Sequence, residues 1–262
     1  MTVERAVPGE AAWAELSAPH MARYLLAAEF AQGQQVLDAG SGAGYGASIL
    51  NHAGAHEVHG VDVDPQAVRL AQERFGGPHV HFLVDDCEVL LSISQRVDLI
   101  CCFEAIEHLE RPERFLRRAG KLLKREGTLL VSTPDRASTP PFVNGRPRNP
   151  YHVNEWSRDE FETLLSAHFS SVEMRVQVES VALHCRLEAV RALRQGLMWT
   201  NPLAAFLLRK WPTTRRAERP WKKLSGLAAA TIADYPIIAS RLAPAYGKTC
   251  FHFAICRQPI ES

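Results

Sequence analysis

Residues 36–47, "VLDAGSGAGYGA", decide the fold. An apolar run ends at Asp38 and gives way to Gly40, Gly42 and Gly44. Glycines at these positions permit a tight turn and let a ligand approach the backbone closely. The amides of such a loop, with the start of the helix behind it, form a polar cradle. The stretch therefore reads as strand, ligand-binding turn, helix. Downstream, "GVDVDP" at 60–65 puts Asp62 at the end of a second strand, 22 residues after Gly40. A carboxylate at that interval can take two ribose hydroxyls.

Outward from this loop the chain alternates. "HEVHGVDV" is a second strand. "PQAVRLAQERFG" is a helix with Pro65 in its first turn and Gly76 as its stop. "HVHFLV", "RVDLICCF", "TLLVST" and "SVEMRVQV" read as further strands. "RPERFLRRAGKLLKREG" reads as a helix ending at Gly127, and Ser157 with Glu160 forms a capping box before "EFETLLSAHF". Such alternation implies parallel strands joined by crossover helices, an α/β doubly wound, mostly parallel sheet. The spacing predicts seven strands, with "KTCFHFAICR" as the last. A helical insertion or lid at 180–247, without a strand, separates that strand from the rest, so the domain comprises 1–179 and 248–262.

Composition narrows the function. The chain has 262 residues, 46% hydrophobic and 23% charged, with formal net charge +1. That is globular, and no global field favours DNA. The six cysteines, at 87, 101, 102, 185, 250 and 256, contain no C-x-x-C pair and sit mostly in apolar runs. They read as reduced thiols of a cytoplasmic protein. No basic-then-apolar leader is evident, and no apolar run reaches the ~18 residues of a spanning helix.

Two ligand classes fit the glycine loop. Gly42-x-Gly44-x-x-Ala47 loosely matches a dinucleotide pattern. Asp38, however, would repel a pyrophosphate and suits a cationic ligand. The D-x-G-x-G-x-G arrangement resembles the class I S-adenosylmethionine-dependent methyltransferases, which have a Rossmann-like fold. "HFLVDDCEVL" resembles that family's third-strand motif, "RVDLICCFEAIEHL" its fourth and "LLKREGTLLVSTPDR" its fifth, so the likeness spans roughly residues 15 to 180. It implies S-adenosyl-L-methionine as cofactor, held by Asp38, Gly40, Gly42, Gly44, Asp62, Val63, Asp86, Cys87 and Phe103. Asp86, rather than Asp85, would meet the adenine amino group, and Cys87 would offer backbone.

Just beyond the fourth strand stands "EAIEHL", 104–109. A helical turn beginning there would place Glu104, Glu107 and His108 on one face. Two carboxylates and an imidazole suit a divalent ion such as Mg²⁺ or Mn²⁺. Glu-x-x-Glu-His also resembles the O-methyltransferases of ubiquinone biosynthesis and the small-RNA 2′-O-methyltransferases. In the latter the motif and a later histidine hold a metal against adjacent hydroxyls. "NPYHVNEW" supplies such a histidine, so the implied metal set is Glu104, Glu107, His108 and His152. His108, Glu107 and His152 are then the catalytic candidates, and the acceptor is a vicinal diol or catechol. A metal-free site with His108 as general base is the alternative, as is an RNA acceptor. His52, His56, His59, His79 and His81 are read as packing or surface residues.

The acceptor side falls to the long loop after the fifth strand, with Arg136, Arg146, Arg148, Tyr151 and Trp156 as contacts. From Arg175 to Lys223 there are eleven Lys/Arg against three Glu, a basic excess hidden by the neutral total. With Trp199 and Trp211 bracketing an apolar stretch, this segment fits a lid over a small-molecule or glycan acceptor. It also fits a peripheral membrane contact near a lipid-linked one.

Overall fold

The computed structural model describes residues 13–138, 149–180, 232–239 and 247–260. Five helices and eight strands follow in the order α1 (Trp13–Ala28), β1 (Gln35–Ala39), α2 (Tyr45–His52), β2 (Glu57–Asp62), α3 (Pro65–Phe75), β3 (Val80–Val84), β4 (Val97–Phe103), α4 (Pro112–Leu122), β5 (Leu123–Pro134), α5 (Arg158–Ser166), β6 (Phe169–Ser180), β7 (Ile237–Ala239) and β8 (Gly247–Pro259).

One sheet carries all the strands, in the order β3-β2-β1-β4-β5-β8-β6-β7. The pairs from β3 to β5 are parallel. β8 runs antiparallel between β5 and β6, and β7 is antiparallel on the β6 edge. The order reverses at β1 and β4, which opens a crevice beyond the carboxyl ends of those strands.

Strand alternation sends side chains into two separate cores. Leu37, Ile100, Cys102, Leu129 and Val131 pack on α4 and α5 through Phe115, Leu116, Phe161 and Leu165. Val36, Leu99, Cys101, Leu130 and Phe253 pack on the other face against Tyr24, Ala47, Leu50 and Ala71 of α1, α2 and α3. Helices thus cover both faces, as expected of a doubly wound sheet. Local signals fix the helix starts. Asp64 caps α3 by accepting the Gln66 N–H, with Pro65 in the first turn, and the Ser157/Glu160 capping box is formed at α5.

The structure departs from the sequence reading in three places. The sheet has eight strands rather than seven. The extra one, β7, lies inside the segment expected to contain no strand. Its β-branched Ile238 packs on Val176 and Val178, an apolar patch that β6 would otherwise leave bare. The helix expected to run to Gly127 ends at Leu122, because Leu123 pairs with Val97 and the Lys124 ammonium reaches the Asp98 carboxylate at 2.8 Å. The helix α1 had no counterpart in the reading. The rest of the proposed insertion, including Trp199 and Trp211, lies outside the described residues, as do Arg146, Arg148 and Cys185. No helix among the described residues is long and apolar enough to cross a membrane.

Candidate active site

The loop after β1 is built from left-handed glycines. Gly40 has φ +79°, and a Cβ there would stand 2.6 Å from the Ala105 Cβ. Gly44, at φ +84°, begins α2 and would meet Ala71 and Phe82 in the same way. The loop is pinned to β2: Gly40 and Ser41 donate their N–H groups to the Val61 carbonyl. Asp62 accepts from Gly42 N–H at one oxygen and from Asp64 N–H at the other, both at 2.9 Å. Its carboxylate therefore ties the two strand ends together as well as facing the crevice.

Asp38 is fully buried. Its Oδ1 accepts the Tyr24 hydroxyl at 2.9 Å, and its Oδ2 has no hydrogen-bond partner. Burial pushes its pKa up to about 7, against the pull of the Tyr24 bond, and Asp62 raises it further. An orphaned, buried carboxylate oxygen is unfavourable unless something cationic completes it. With Asp62 alongside, the acidic lining fits a positively charged ligand and opposes a pyrophosphate.

The remaining cradle residues divide by exposure. Val63 is 69% exposed at the end of β2, an apolar side chain presented to solvent. The neighbouring strand end, paired to Asp62 through Val84, continues into Asp85, Asp86 and Cys87. Asp85 is spent on Ser92, whose N–H and hydroxyl donate to it at 2.7 and 2.6 Å. Asp86 is exposed and accepts the Glu88 N–H. The Cys87 thiol is buried, and burial, then Asp62, push its pKa up to about 12. The Phe103 ring is sunk in the core, edge-on to Tyr24 at 5.1 Å and near Phe253. Only its backbone can border the crevice.

Past β4 the chain does not start the expected helical turn. Glu104 takes φ +53°, and a short 3-10 turn, Ile106–His108, follows. Glu104 stays close enough to Glu107 to act on its charge but falls outside the group that the other two form. Its carboxylate accepts the Ser132 hydroxyl at 2.8 Å and faces the Arg23 guanidinium at 3.5 Å. Glu107 and His108 instead meet His152. Ligating atoms of these three side chains all lie within 4.8 Å of one another. Glu107 is 1% exposed, and neither oxygen makes a hydrogen bond of good geometry, although the Thr133 hydroxyl lies close enough to favour the ionised form. Burial, then the nearby Glu104 carboxylate, push its pKa well above the ordinary carboxylate range.

Both imidazoles are oriented. His108 Nδ1 lies 2.9 Å from the Tyr151 carbonyl, and His152 Nδ1 lies 3.0 Å from a Glu155 carboxylate oxygen. A carbonyl can only accept, and so can an ionised carboxylate. Each Nδ1 therefore carries a proton, and in the neutral ring the lone pair lies on Nε2. The rings are 5.1 Å apart, edge to face.

A family model described as a methyltransferase domain matches residues 37–131. A Mycobacterium tuberculosis protein named "Probable S-adenosylmethionine-dependent methyltransferase" is 32% identical over 225 residues, covering 84% of this chain and 76% of that protein. The chain belongs to the S-adenosylmethionine-dependent methyltransferases. A ubiquinone biosynthesis O-methyltransferase of Coxiella burnetii is 33% identical over 107 residues, 40% of this methyltransferase and 45% of that protein. In fold, the methyltransferase matches the [4+2]-cyclase SpnF with a TM-score of 0.56 at 20% identity, over 91% of this chain and 81% of that one. It also matches a Haemonchus contortus phosphoethanolamine N-methyltransferase in complex with S-adenosylhomocysteine, with a TM-score of 0.55 at 18% identity, over 91% of this chain and 52% of that one. A cyclase and an N-methyltransferase on one fold show that the fold does not choose the reaction.

Beneath the glycine loop and β4, two residues of the methyltransferase escaped the sequence reading. Tyr24 holds Asp38. Arg23 is fully buried, with its Nε donating to Gln177 and its guanidinium 4.2 Å above the Phe251 ring. Only their place on α1, packed under the glycine loop, reveals them. On the acceptor side, Arg136 is paired with Glu160 at 2.8 Å, Trp156 packs on Phe161, and Tyr151 is 42% exposed beside the three-residue cluster.

Proposed function

We propose that this methyltransferase methylates a hydroxyl of a vicinal diol or catechol, in a glycan, glycolipid or natural product, with a divalent metal held by Glu107, His108 and His152. The observation that carries this reading is the three-residue cluster: one buried carboxylate without a well-formed hydrogen bond beside two imidazoles, each anchored through Nδ1. Glu104 is left out of the set, since Ser132 and Arg23 engage it.

The roles follow from chemistry. The cofactor supplies a methyl group already activated on a sulfonium. Asp62 receives the ribose hydroxyls, the free Oδ2 of Asp38 faces the ammonium, and Asp86 with the Cys87 backbone meets the adenine. Val63 offers that ring an apolar contact, and Phe103 contributes backbone. The protein must then align the acceptor oxygen with the methyl group and make it nucleophilic. A bound Mg²⁺ or Mn²⁺ would acidify a hydroxyl and fix its position. On the metal reading a ring bound through Nε2 has no lone pair left, so His108 or His152 would receive the acceptor's proton only where its Nε2 is not a ligand, and Tyr151 borders the acceptor.

The same tautomer supports a second reading, in which His108 acts as general base without metal. Methyl transfer from labelled S-adenosylmethionine to catechols and sugar diols, after treatment with a chelator, separates the two. On the metal reading, activity disappears on chelation, returns with Mn²⁺ or Mg²⁺, and fails on acceptors with one hydroxyl blocked. Full turnover in the presence of chelator would leave only the metal-free base. Equal turnover of blocked acceptors would remove the diol requirement.

A further inference from the structure

The segment 149–156 reaches the site from a distant part of the chain, yet it is fastened there by several bonds. Val153 and Asn154 donate their N–H groups to the Glu107 carbonyl at 2.9 and 3.0 Å. The Asn154 side-chain amide donates to the Leu109 carbonyl at 2.7 Å. The Tyr151 carbonyl receives His108 Nδ1–H. At the far end, Asp135 bridges Trp156, and Arg136 N–H donates to the Trp156 carbonyl. The 3-10 turn is therefore held by this latch as well as by its own His108 and Leu109 N–H bonds.

Within the latch, Glu155 is unusual. Its side chain is 2% exposed, and its partner His152 is 8% exposed. Burying a carboxylate is unfavourable unless it is paired and hydrogen-bonded. Whatever else the carboxylate touches, at His152 it adds direction: one of its oxygens accepts the Nδ1 proton of that ring. Carboxylates in this relation to a histidine fix its tautomer and raise its basicity.

We propose that Glu155 is a positioning residue of the methyl-transfer site, which holds His152 in the Nδ1–H form with its lone pair on Nε2, while Asn154 locks the latch that carries both. This rests on the assignment of His152 to the reacting site. Glu155 itself touches neither cofactor nor acceptor. It acts through the imidazole.

The test uses the full chain saturated with S-adenosylhomocysteine, in wild-type, Glu155→Gln and Glu155→Ala forms. Long-range ¹⁵N–¹H correlation spectra report which nitrogen of His152 bears the proton, with His152→Asn assigning the signals. Wild type is expected to show protonated Nδ1. Glu155→Ala should move the proton towards Nε2, the form free imidazole side chains favour in water. Glu155→Gln should keep it on Nδ1, because the amide oxygen still accepts. In the same samples Mn²⁺ affinity should fall about 10- to 100-fold in Glu155→Ala, the usual effect of losing such a partner, with S-adenosylhomocysteine affinity unchanged. An unaltered His152 tautomer in Glu155→Ala would overturn the proposal. So would an equal loss of S-adenosylhomocysteine binding in both variants, which would mark Glu155 as a general folding contact. The tautomer measurement needs no metal, so failure of Mn²⁺ to bind wild type would sink the metal reading and not this one.

Discussion

The Tyr24→Phe variant removes one oxygen atom and tests how the cofactor cradle works. The Tyr24 hydroxyl donates to the buried Asp38, whose other oxygen has no partner. Burial has already raised the Asp38 pKa to about 7, with the tyrosine bond holding it down. A hydrogen bond to an ionised group contributes about 1.5–3 kcal/mol. At 1.36 kcal/mol per unit, its loss raises the pKa by roughly one to two more units. At pH 7 the ionised fraction then drops from about one half to between about one in ten and one in a hundred. If the cofactor's ammonium needs the ionised form, the apparent Kd rises in proportion, ~5- to ~50-fold. At pH 9 wild type is almost wholly ionised and the variant at least about half so, and the deficit shrinks to ~2-fold or less. Calorimetry with S-adenosylhomocysteine at the two pH values measures this directly. Taking the variant-to-wild-type ratio cancels titration of the ligand. A deficit of equal size at both pH values would refute the charge account, leaving Tyr24 as a packing contact for Phe103 and Tyr45. No deficit at either would mean that the ammonium does not read Asp38.

Four further perturbations follow from the same geometry. Asp38→Asn should stabilise the ligand-free protein while weakening cofactor binding. Because the folded pKa of Asp38 is raised above its model value of 3.8 to about 7, the native state holds a proton that the unfolded chain has released. Stability contributed here therefore falls as pH rises from about 4 to about 7, by at most ~4 kcal/mol. Thermal melts should show Asp38→Asn gaining at pH 8 and not at pH 4, and a gain at both would point elsewhere. Gly40→Ala places a Cβ 2.6 Å from that of Ala105 at a left-handed φ. It should lose about 1–3 kcal/mol of stability from backbone strain together with most cofactor affinity. Adding Ala105→Gly relieves the collision and not the strain, so melts of the pair should recover only in part. Asp62→Ala should weaken S-adenosylhomocysteine binding, whereas Glu107→Gln should lower turnover and leave that affinity intact. Parallel losses of affinity in both would contradict this division.

Much of the cradle was legible because its signals are local. A strand end, three glycines and an acid 22 residues on lie in consecutive elements, and each needs a specific residue type. His152 was also within reach, since its residue type and its place after β5 both pointed to the crevice. The helical turn expected at Glu104 is absent for a local reason that sequence does not display. The turn after β4 passes through a positive φ at a non-glycine residue, which the i, i+3, i+4 rule for helices does not foresee. Tyr24, Arg23 and Glu155 were invisible because their roles are set by tertiary contact. The tyrosine meets an aspartate on β1, the arginine meets Gln177 on β6, and the glutamate matters only once its loop has latched. β7 failed to register because three residues are too few to show a period, and only the bare apolar patch on β6 explains it.

The position of β8 has a consequence for how the molecule comes into being. Thr128 pairs with Arg257 and Phe169 with Pro259, so a strand made late lies between two that are made much earlier. As the chain is synthesised, β1 to β5 can assemble the glycine loop and its first helices, but β6 has only the three-residue β7 to join until residues 247–259 arrive. Contacts so distant in sequence form slowly. Until they form, the β5 edge is open to pairing with other chains. Removing even a few residues from this strand should therefore produce aggregation during expression, rather than a merely weaker enzyme.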